Sequence, residues 1–351
     1  MNTLEHALDA ILRDPLRTAL AAGDAIGHVG TEVPLDLLLA ADRPVCHLPW
    51  QTGRPTPQAD RWLESGFPGW TRSILEDWLA GRFDGLAQVV FTRGDDVSQR
   101  LYYYVCELQR RGRLRGPEPL IFDLALIPRA ASLQRTVDSI ARLAAQLGVQ
   151  EQHLARGVTR ANRQRRLFAQ LQQSRCAAGV LYGKIARASL FGDLTGLLEA
   201  ASLPSDAVRC RVLLAGSAPP DERLHAAVES AGAAVVAEAH VRGLTRLGAP
   251  VDENASDCML AIATQLTAGS IGPRSFIDRA AWLVDSARSA PAGAVVSWLT
   301  REEEALSWHV PAQRAALDRA GIAHLELTGR SADADDGAGE EIISFIGGLE
   351  R

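Results

Sequence analysis

The stretch that decides the fold runs from Ala25 to Leu48 and reads AIGHVGTEVPLDLLLAADRPVCHL. It contains two short apolar runs, Ala25 to Val29 and Pro44 to Leu48, separated by a segment from Pro34 to Ala41 that has a helical pattern. Short apolar strands that alternate with helices are typical of a parallel sheet covered on both faces. This stretch therefore predicts the opening β–α–β unit of an α/β domain.

The same alternation continues on both sides of a strand-free middle. Further strands are predicted over 86–91, 119–124, 211–215, 233–237, 294–299 and 324–327. Further helices are predicted over 3–20, 69–81, 96–111, 132–147, 221–231, 255–266, 273–289, 301–319 and 339–350. We therefore predict two doubly wound parallel-sheet domains that face a central cleft, with a helical N-terminus and a helical linker.

The length of 351 residues is sufficient for two domains of ordinary size. The predicted division is an N-terminal helix over 1–22, a first α/β domain over 23–150, a helical linker over 151–205 and a second α/β domain over 206–351. The linker is assigned where the apolar runs stop and arginines recur at helical spacing.

Composition and charge narrow the class of protein. The formal net charge is −5, so nucleic acid is not an expected partner. The chain has no apolar run of about 18 residues, and its first 20 residues carry five charges, so neither a membrane span nor a signal peptide is expected. The five cysteines are scattered without a C-x-x-C pair, which argues against a metal site and fits a cytoplasmic protein: Cys46, Cys106, Cys176, Cys210 and Cys258.

A set of segments spread over nearly the whole chain carries a family resemblance. They are residues 26–34 with 40–45, 59–60, 72–75, 81–91, 161–163, 211–217, 232–236 and 321–327. No single segment is specific, but in this order they resemble the paired subunits that dehydrate 2-hydroxyacyl-CoA thioesters or reduce benzoyl-CoA, including the D component of 2-hydroxyglutaryl-CoA dehydratase. The resemblance implies two α/β domains, an acyl-CoA as ligand and a paralogous partner subunit.

The iron–sulfur cluster of that family has no counterpart in the cysteines of this chain. Members hold a four-iron cluster with three cysteines. The resemblance implies that the matching positions in this chain are Gly30, Gly94 and about Glu303. Thiolates are the ligands that such clusters need, and none of these residues supplies one. Family members also carry a pair of acidic residues after a strand of the second domain, and this chain retains only one of them, Glu238. The resemblance therefore implies a divergent member that binds no cluster or other cofactor of its own.

Polar residues at predicted strand ends are the candidates for a site in the cleft. Strand ends meet at one edge of a parallel sheet, where ligands bind. The residues expected to line the cleft are Gly30, Thr31, Glu32, Arg93, Gly94, Asp95, Asp96 and Glu303. Asp95 and Glu303 are the candidate catalytic carboxylates. The alternative is structural, with Asp95 as a helix N-cap and Glu303 in a solvated first turn.

Two features are candidates for binding the phosphates of coenzyme A. Arg156, Arg160 and Arg163 recur at helical spacing, and the turn Gly216-Ser217 joins a strand to a helix. The alternatives are a solvated helix face and a plain tight turn. Three tryptophans are candidates for an aromatic patch that binds a partner subunit, and packing in the core is the alternative: Trp62, Trp70 and Trp78.

Three functions follow from these observations. The first is a non-catalytic subunit that pairs with a cluster-bearing relative. The second is a cluster-independent enzyme that acts on an acyl-CoA through carboxylates such as Asp95 or Glu303. The third is a stand-alone binding protein for a CoA thioester or a small acid. The first ranks highest, since losing cluster ligands removes chemistry but leaves the fold and its interface.

Overall fold

The computed structural model describes residues 3–173, 178–201 and 210–349. The strands are β1 Ile26–Val29, β2 Val45–His47, β3 Gln88–Thr92, β4 Glu118–Phe122, β5 Cys210–Gly216, β6 Ala233–Ala239, β7 Ala294–Thr300 and β8 Ala323–Arg330. The helices are α1 Thr3–Arg13, α2 Pro15–Ala22, α3 Leu35–Ala40, α4 Gly69–Leu79, α5 Asp96–Arg110, α6 Ala130–Leu147, α7 Glu151–Gln173, α8 Gly179–Ala188, α9 Thr195–Glu199, α10 Arg223–Ser230, α11 Cys258–Gly269, α12 Arg279–Ser289, α13 Glu304–Ser307, α14 Val310–Ala320 and α15 Ala338–Leu349.

The strands form two four-stranded parallel sheets with the same topology. Their orders are β2-β1-β3-β4 and β6-β5-β7-β8. In each sheet the chain turns first to one side of the opening strand and then to the other. The reversal leaves a crevice at the carboxyl ends of β1 and β3 in one sheet, and of β5 and β7 in the other. The prediction of two doubly wound α/β domains is confirmed.

Both faces of each sheet are covered by helices. In the first sheet one face packs against α4 and α5, and the other against α3, α6 and α7. In the second sheet one face packs against α1, α8, α10 and α15, and the other against α12 and α14. The continuous burial of β6 and β7 follows from this two-sided cover, since a strand buried on both faces needs apolar side chains on both.

The N-terminal helix predicted over 3–20 is broken into α1 and α2. The break falls at Asp14-Pro15, because proline has no N–H to continue the helix and suits the first position of a new one. The Asp14 carboxylate caps α2 by accepting from the N–H of Arg17 at 3.2 Å.

Helices cross between the two halves of the chain. Leu4 and Leu8 of α1 lie in the core of the second sheet with Tyr182 of α8. In return, Ile262 and Ala263 of α11 lie in the core on the α6 face of the first sheet. The two sheets are therefore fixed relative to each other by shared cores.

Two predicted helices of the second half begin later than the sequence pattern indicates. The stretch 273–278 is a loop ahead of α12, and the predicted helix over 301–319 is divided into α13 and α14. Glu303 consequently precedes α13 instead of lying inside a helix. Within the described ranges, no helix is both long and apolar enough to cross a membrane. Cys176 lies outside the described residues.

Candidate functional site

Gly30 directly follows β1, at a position that has no room for a side chain. Its φ is +89°, a conformation that favours glycine, and a Cβ built on it would lie 2.1 Å from Cγ2 of Thr92. The same Cβ would lie 3.3 Å from Oδ2 of Asp95. The close approach of β1 to the end of β3 thus depends on glycine at this position.

Gly94 follows β3, and the side chain of Glu32 fills the space beside it. A Cβ at position 94 would lie 2.1 Å from Oε2 of Glu32. Gly272, which comes from the second half of the chain, approaches the same oxygen, since its Cβ would lie 2.5 Å away. The Glu32 carboxylate is therefore held between two glycines at the crevice of the first sheet.

Residues from the loop between α11 and α12 bind Glu32. Its Oε1 accepts a very short hydrogen bond from the Ser270 hydroxyl and a second from the N–H of Gly272 at 3.1 Å. Oε2 is buried and has no hydrogen-bond partner among the described residues. Burial raises the pKa of Glu32, and the nearby Asp95 adds to the rise against these two hydrogen bonds.

Asp95 is both the N-cap of α5 and a carboxylate of the cleft. Its Oδ1 accepts from the N–H of Ser98 at 2.6 Å, the arrangement expected of a capping aspartate. Burial raises its pKa despite that hydrogen bond. The neighbouring residues face elsewhere: Asp96 is exposed and 3.6 Å from Arg274, and Arg93 pairs with Asp123 at 3.2 Å.

On the second sheet, Ser217 and Glu303 meet at the ends of β5 and β7. The Ser217 hydroxyl donates to Oε2 of Glu303 at 3.2 Å and accepts from the N–H of Thr300 at 3.0 Å. Burial raises the pKa of Glu303, opposed by the charge of Arg242. The N–H of Ser217 donates to the carbonyl of Trp298 at 2.7 Å, so it is not free to bind a phosphate.

Arg242 joins the two halves of the cleft and was missed by the sequence analysis. Its guanidinium lies 4.0 Å from the ring centroid of Trp50 and 5.1 Å from that of Trp70, both from the first half of the chain. Among the described residues it has no hydrogen-bonded or ion-paired partner, although the charges of Glu303 and Asp95 act on it. Burial lowers its pKa to about 10, so it remains a cation at neutral pH.

Glu238 belongs to a buried cluster of one carboxylate and two imidazoles, which lines a small pocket together with Arg242. Its two carboxylate oxygens are 3.0 Å from Nε2 of His225 and 3.5 Å from Nε2 of His240. Burial acts to raise the pKa of Glu238, but the electrostatic effect of His240 and the hydrogen bond with His225 outweigh it and lower the pKa to about 2. His240 also acts on Glu303, so the cluster borders the cleft.

The arginines predicted to bind phosphate lie on α7, and each has an acidic partner. Arg156 and Arg160 pair with Asp42 at 3.5 and 3.1 Å, while Arg163 forms a short bidentate contact with Glu199. Arg160 and Thr31 line a cavity beside the cleft, and Arg163 does not. The structure thus does not gather the three arginines into one phosphate site.

The tryptophans considered for a partner surface have three different environments. Trp78 is 1% exposed, and its indole donates to the carbonyl of Arg115 at 2.9 Å, so it belongs to the core. Trp70 lies against Arg242. Trp62 is 37% exposed and is the member of the three that faces solvent.

The positions carried over from the cluster ligands do not suit an iron–sulfur cluster. Gly30 and Gly94 have no side-chain ligand atom and the space beside them is filled, and Glu303 supplies an oxygen instead of a thiolate. Within the described part of the chain, no group of three or more His, Cys, Asp or Glu is arranged to hold a metal ion. Cys46 is buried, which raises the pKa of its thiol to about 12 and makes it unreactive.

Three carboxylates with raised pKa and one arginine without a carboxylate partner are thus collected between the two sheets. Such a set can hold a polar ligand or exchange protons with it, because raised carboxyl pKa values at a crevice are the usual property of acid–base groups. The members are Glu32, Asp95, Glu303 and Arg242.

These features define a two-domain α/β protein with its polar site between the carboxyl ends of two parallel sheets. Comparison with protein families gives the particular class: the chain belongs to the 2-hydroxyglutaryl-CoA dehydratase D-component family, whose model matches residues 31–343. No curated protein matches the sequence at a significant level. The family assignment made from the ordered segments is confirmed.

Proposed function

We propose that this chain is a cluster-free subunit that pairs with a cluster-bearing relative and does not itself carry out reductive chemistry. The observation that carries the proposal is the filled space at positions 30 and 94, where a Cβ would lie 2.1 Å from Thr92 and 2.1 Å from Glu32 respectively. Real Cβ atoms do not approach so closely, so a side chain at either position would require Thr92 or Glu32 to move, which supports a cleft without cluster thiolates.

Membership of a D-component family supports a partner subunit, and two exposed aromatic residues suggest where it docks. Trp308 is 78% exposed and follows α13, while Phe276 is 67% exposed and lies in the loop ahead of α12. Aromatic residues are enriched at protein interfaces. Both residues follow the cleft-lining segments Glu303 and Ser270–Gly272 in the chain, so a partner that binds there would lie near the cleft.

The test is co-expression of the chain with a cluster-bearing relative from the same genome, followed by anoxic purification and native mass measurement. We expect a one-to-one complex whose iron and sulfide amount to the relative's cluster alone. We expect Phe276→Ser and Trp308→Ser to weaken the complex, and Tyr103→Ser, a change at an aromatic residue that is 54% exposed on α5, to leave it intact. Stoichiometric iron in the chain alone would overturn the proposal.

A triple variant tests whether a cluster is excluded only because thiolates are missing or also because the space for it is filled. Gly30→Cys, Gly94→Cys and Glu303→Cys together restore three thiols. We expect the reconstituted triple variant to remain without stoichiometric iron, because the new side chain at position 30 meets Thr92 on a strained backbone. Incorporation of a full cluster would show that the cleft still accommodates one.

A cluster-independent enzyme acting on an acyl-CoA is the second candidate, and the raised pKa values of Asp95 and Glu303 favour it. Substrate-dependent turnover by the purified chain alone, lost in both Asp95→Asn and Glu303→Gln, would support this function. A matched control is Glu64→Gln, a change at an exposed glutamate away from the cleft. Binding of a thioester without turnover would instead favour a stand-alone binding protein.

A further inference from the structure

A cavity of about 440 Å³ lies between α2, α3, α7 and the turn that follows α8. Its volume falls in the range of about 300–1,000 Å³ that small-molecule sites occupy. Exposed residues Thr18, Ala22 and Asp42 border its mouth, whereas buried His28 and Ser270 border its inner end. The cavity therefore extends inward from the protein surface toward the cleft.

The lining combines aliphatic side chains with polar ones such as Thr31, Gln164 and Gln265. Its apolar members include Ala19, Leu39, Leu190, Leu194 and Leu266. The aliphatic part of this wall favours an apolar body, because a buried polar group without a partner costs free energy. An occupant with its polar atoms at one end can use that part for the rest of its length.

Four arginines line the cavity, and three of them are neutralised by a carboxylate. The pairs are Arg43–Asp24 at 3.1 Å, Arg160–Asp42 at 3.1 Å and Arg165–Asp36 at 2.7 Å. Arg246 differs from these three. Within the described residues its hydrogen bonds all go to neutral oxygens, namely the carbonyls of Arg242 and Gly243 and the carbonyl and hydroxyl of Ser189.

Within the described residues Arg246 forms no ion pair, and the charge of the buried Glu238 acts on it only from beyond ion-pair distance. Burial lowers the pKa of Arg246 to about 10, so it is still a cation at neutral pH. Beside it, burial lowers the pKa of His28 to about 4, and the ring is therefore neutral. Glu32 has a raised pKa, which weakens its negative charge. A partly buried guanidinium in such surroundings is suited to a carboxylate, which it binds more strongly than a neutral acceptor.

We propose that this cavity binds a monocarboxylic acid with an aliphatic body, its carboxylate directed to Arg246 and its chain along the apolar wall toward the mouth. The site is separate from the pairing proposed above and does not depend on it. A thioester has the same acyl chain but no free carboxylate, so the free acid and the thioester can be told apart by experiment.

The test is isothermal titration of the purified full-length chain with octanoate, octanol, octylamine and octanoyl-CoA at neutral pH. We expect octanoate to bind, and octanol and octylamine to bind at least about tenfold more weakly, since they lack the carboxylate. Octanoyl-CoA is expected not to displace octanoate. Equal binding of the three octyl compounds, no binding of octanoate, or displacement by octanoyl-CoA would each overturn the proposal.

Two pairs of variants locate the bound acid. Thr18→Trp narrows the mouth from an exposed position on α2 and should abolish octanoate binding, whereas Ala155→Trp, an equally exposed change on α7 outside the cavity wall, should not. Arg246→Met should weaken binding by roughly 10- to 100-fold and Arg246→Lys by less, because only the former removes the charge. Binding that survives both Thr18→Trp and Arg246→Met would place the acid elsewhere and refute the site.

The readouts keep this inference separate from the proposed function. Octanoate affinity reports on the cavity, whereas the mass and iron content of the co-expressed complex report on pairing. Thr18→Trp should leave the complex intact, since it changes only the mouth of the cavity. If Arg246→Met fails to fold, as judged by its thermal unfolding, the mouth variant and its control still decide the question.

Discussion

The junction of α3 with α7 contains a buried arginine and the interdomain cleft a partly buried one, and the two charges have different surroundings. At the junction, Arg165 donates two hydrogen bonds of 2.7 Å to the Asp36 carboxylate, and the two side chains are 2% and 0% exposed. In the cleft, Arg242 lies between aromatic rings, and Asp95 and Glu303 act on it from beyond ion-pair distance.

The presence or absence of a direct ion pair distinguishes charges that stabilise the fold from charges of the candidate site. A bidentate pair satisfies both partners and fixes two helices. Groups that are desolvated and have no direct partner of opposite charge change their pKa instead, which is the property expected where a ligand or a proton supplies the missing contact. The following variants test this contrast, from the largest expected effect to the smallest.

Asp36→Ala should destabilise the protein most, by about 3–5 kcal/mol, because it leaves the Arg165 charge buried without a counterion. Urea unfolding measures the effect. The double variant Asp36→Leu with Arg165→Met removes both charges and should recover most of the loss. A single-variant loss below about 1 kcal/mol would mean that this pair is not structural.

Glu238→Gln should cost on the order of 3 kcal/mol at pH 7, because the pKa of Glu238 is lowered from 4.5 to about 2 by its histidine neighbours. A lowered pKa contributes stability above pH 4.5 that is lost as the pH falls toward 2. The difference in unfolding free energy between wild type and variant should therefore become smaller below pH 4.5. Urea midpoints measured at several pH values follow this difference. A difference that does not change with pH would contradict this assignment.

Asp95→Ala should cost about 0.5–2 kcal/mol, because α5 loses its N-cap. Asp95→Asn keeps the cap and removes the charge, and should therefore be at least as stable as wild type at pH 7. Thermal unfolding of the two variants separates the capping role from the charged role. Equal losses in both would show that the charge itself stabilises the fold.

Glu303→Gln should have the smallest effect, a gain below about 1 kcal/mol at pH 7, since the carboxylate retains some exposure to solvent. Its pKa is raised above 4.5, so the folded protein favours the protonated form. Wild type and variant should have equal unfolding free energies near pH 4. As the pH rises through the folded-state pKa, wild type should lose stability relative to the variant. A loss at pH 7 would mean that ionised Glu303 is needed for stability.

Much of the fold could be predicted from local patterns. The apolar runs around Val89 and Val295 mark strands of buried sheets. The prediction that Gly30, Gly94 and Glu303 line one cleft rests instead on the family resemblance, together with the rule that ligands bind at strand ends. The same patterns missed the break at Pro15 and the late start of α13. In both places a single helical periodicity runs across a point where the backbone changes direction.

The sequence by itself determined the α/β class, the family and the lack of cysteines at the carried-over cluster positions, because these depend on residue types and their order. Only the tertiary structure decided that α11 joins the core of the first sheet, that Glu32 fills the space beside Gly94, and that Arg242 meets Trp50 across the cleft. These are contacts between residues far apart in the chain. Whether a charge is paired or left alone depends on such contacts, and no local pattern records them.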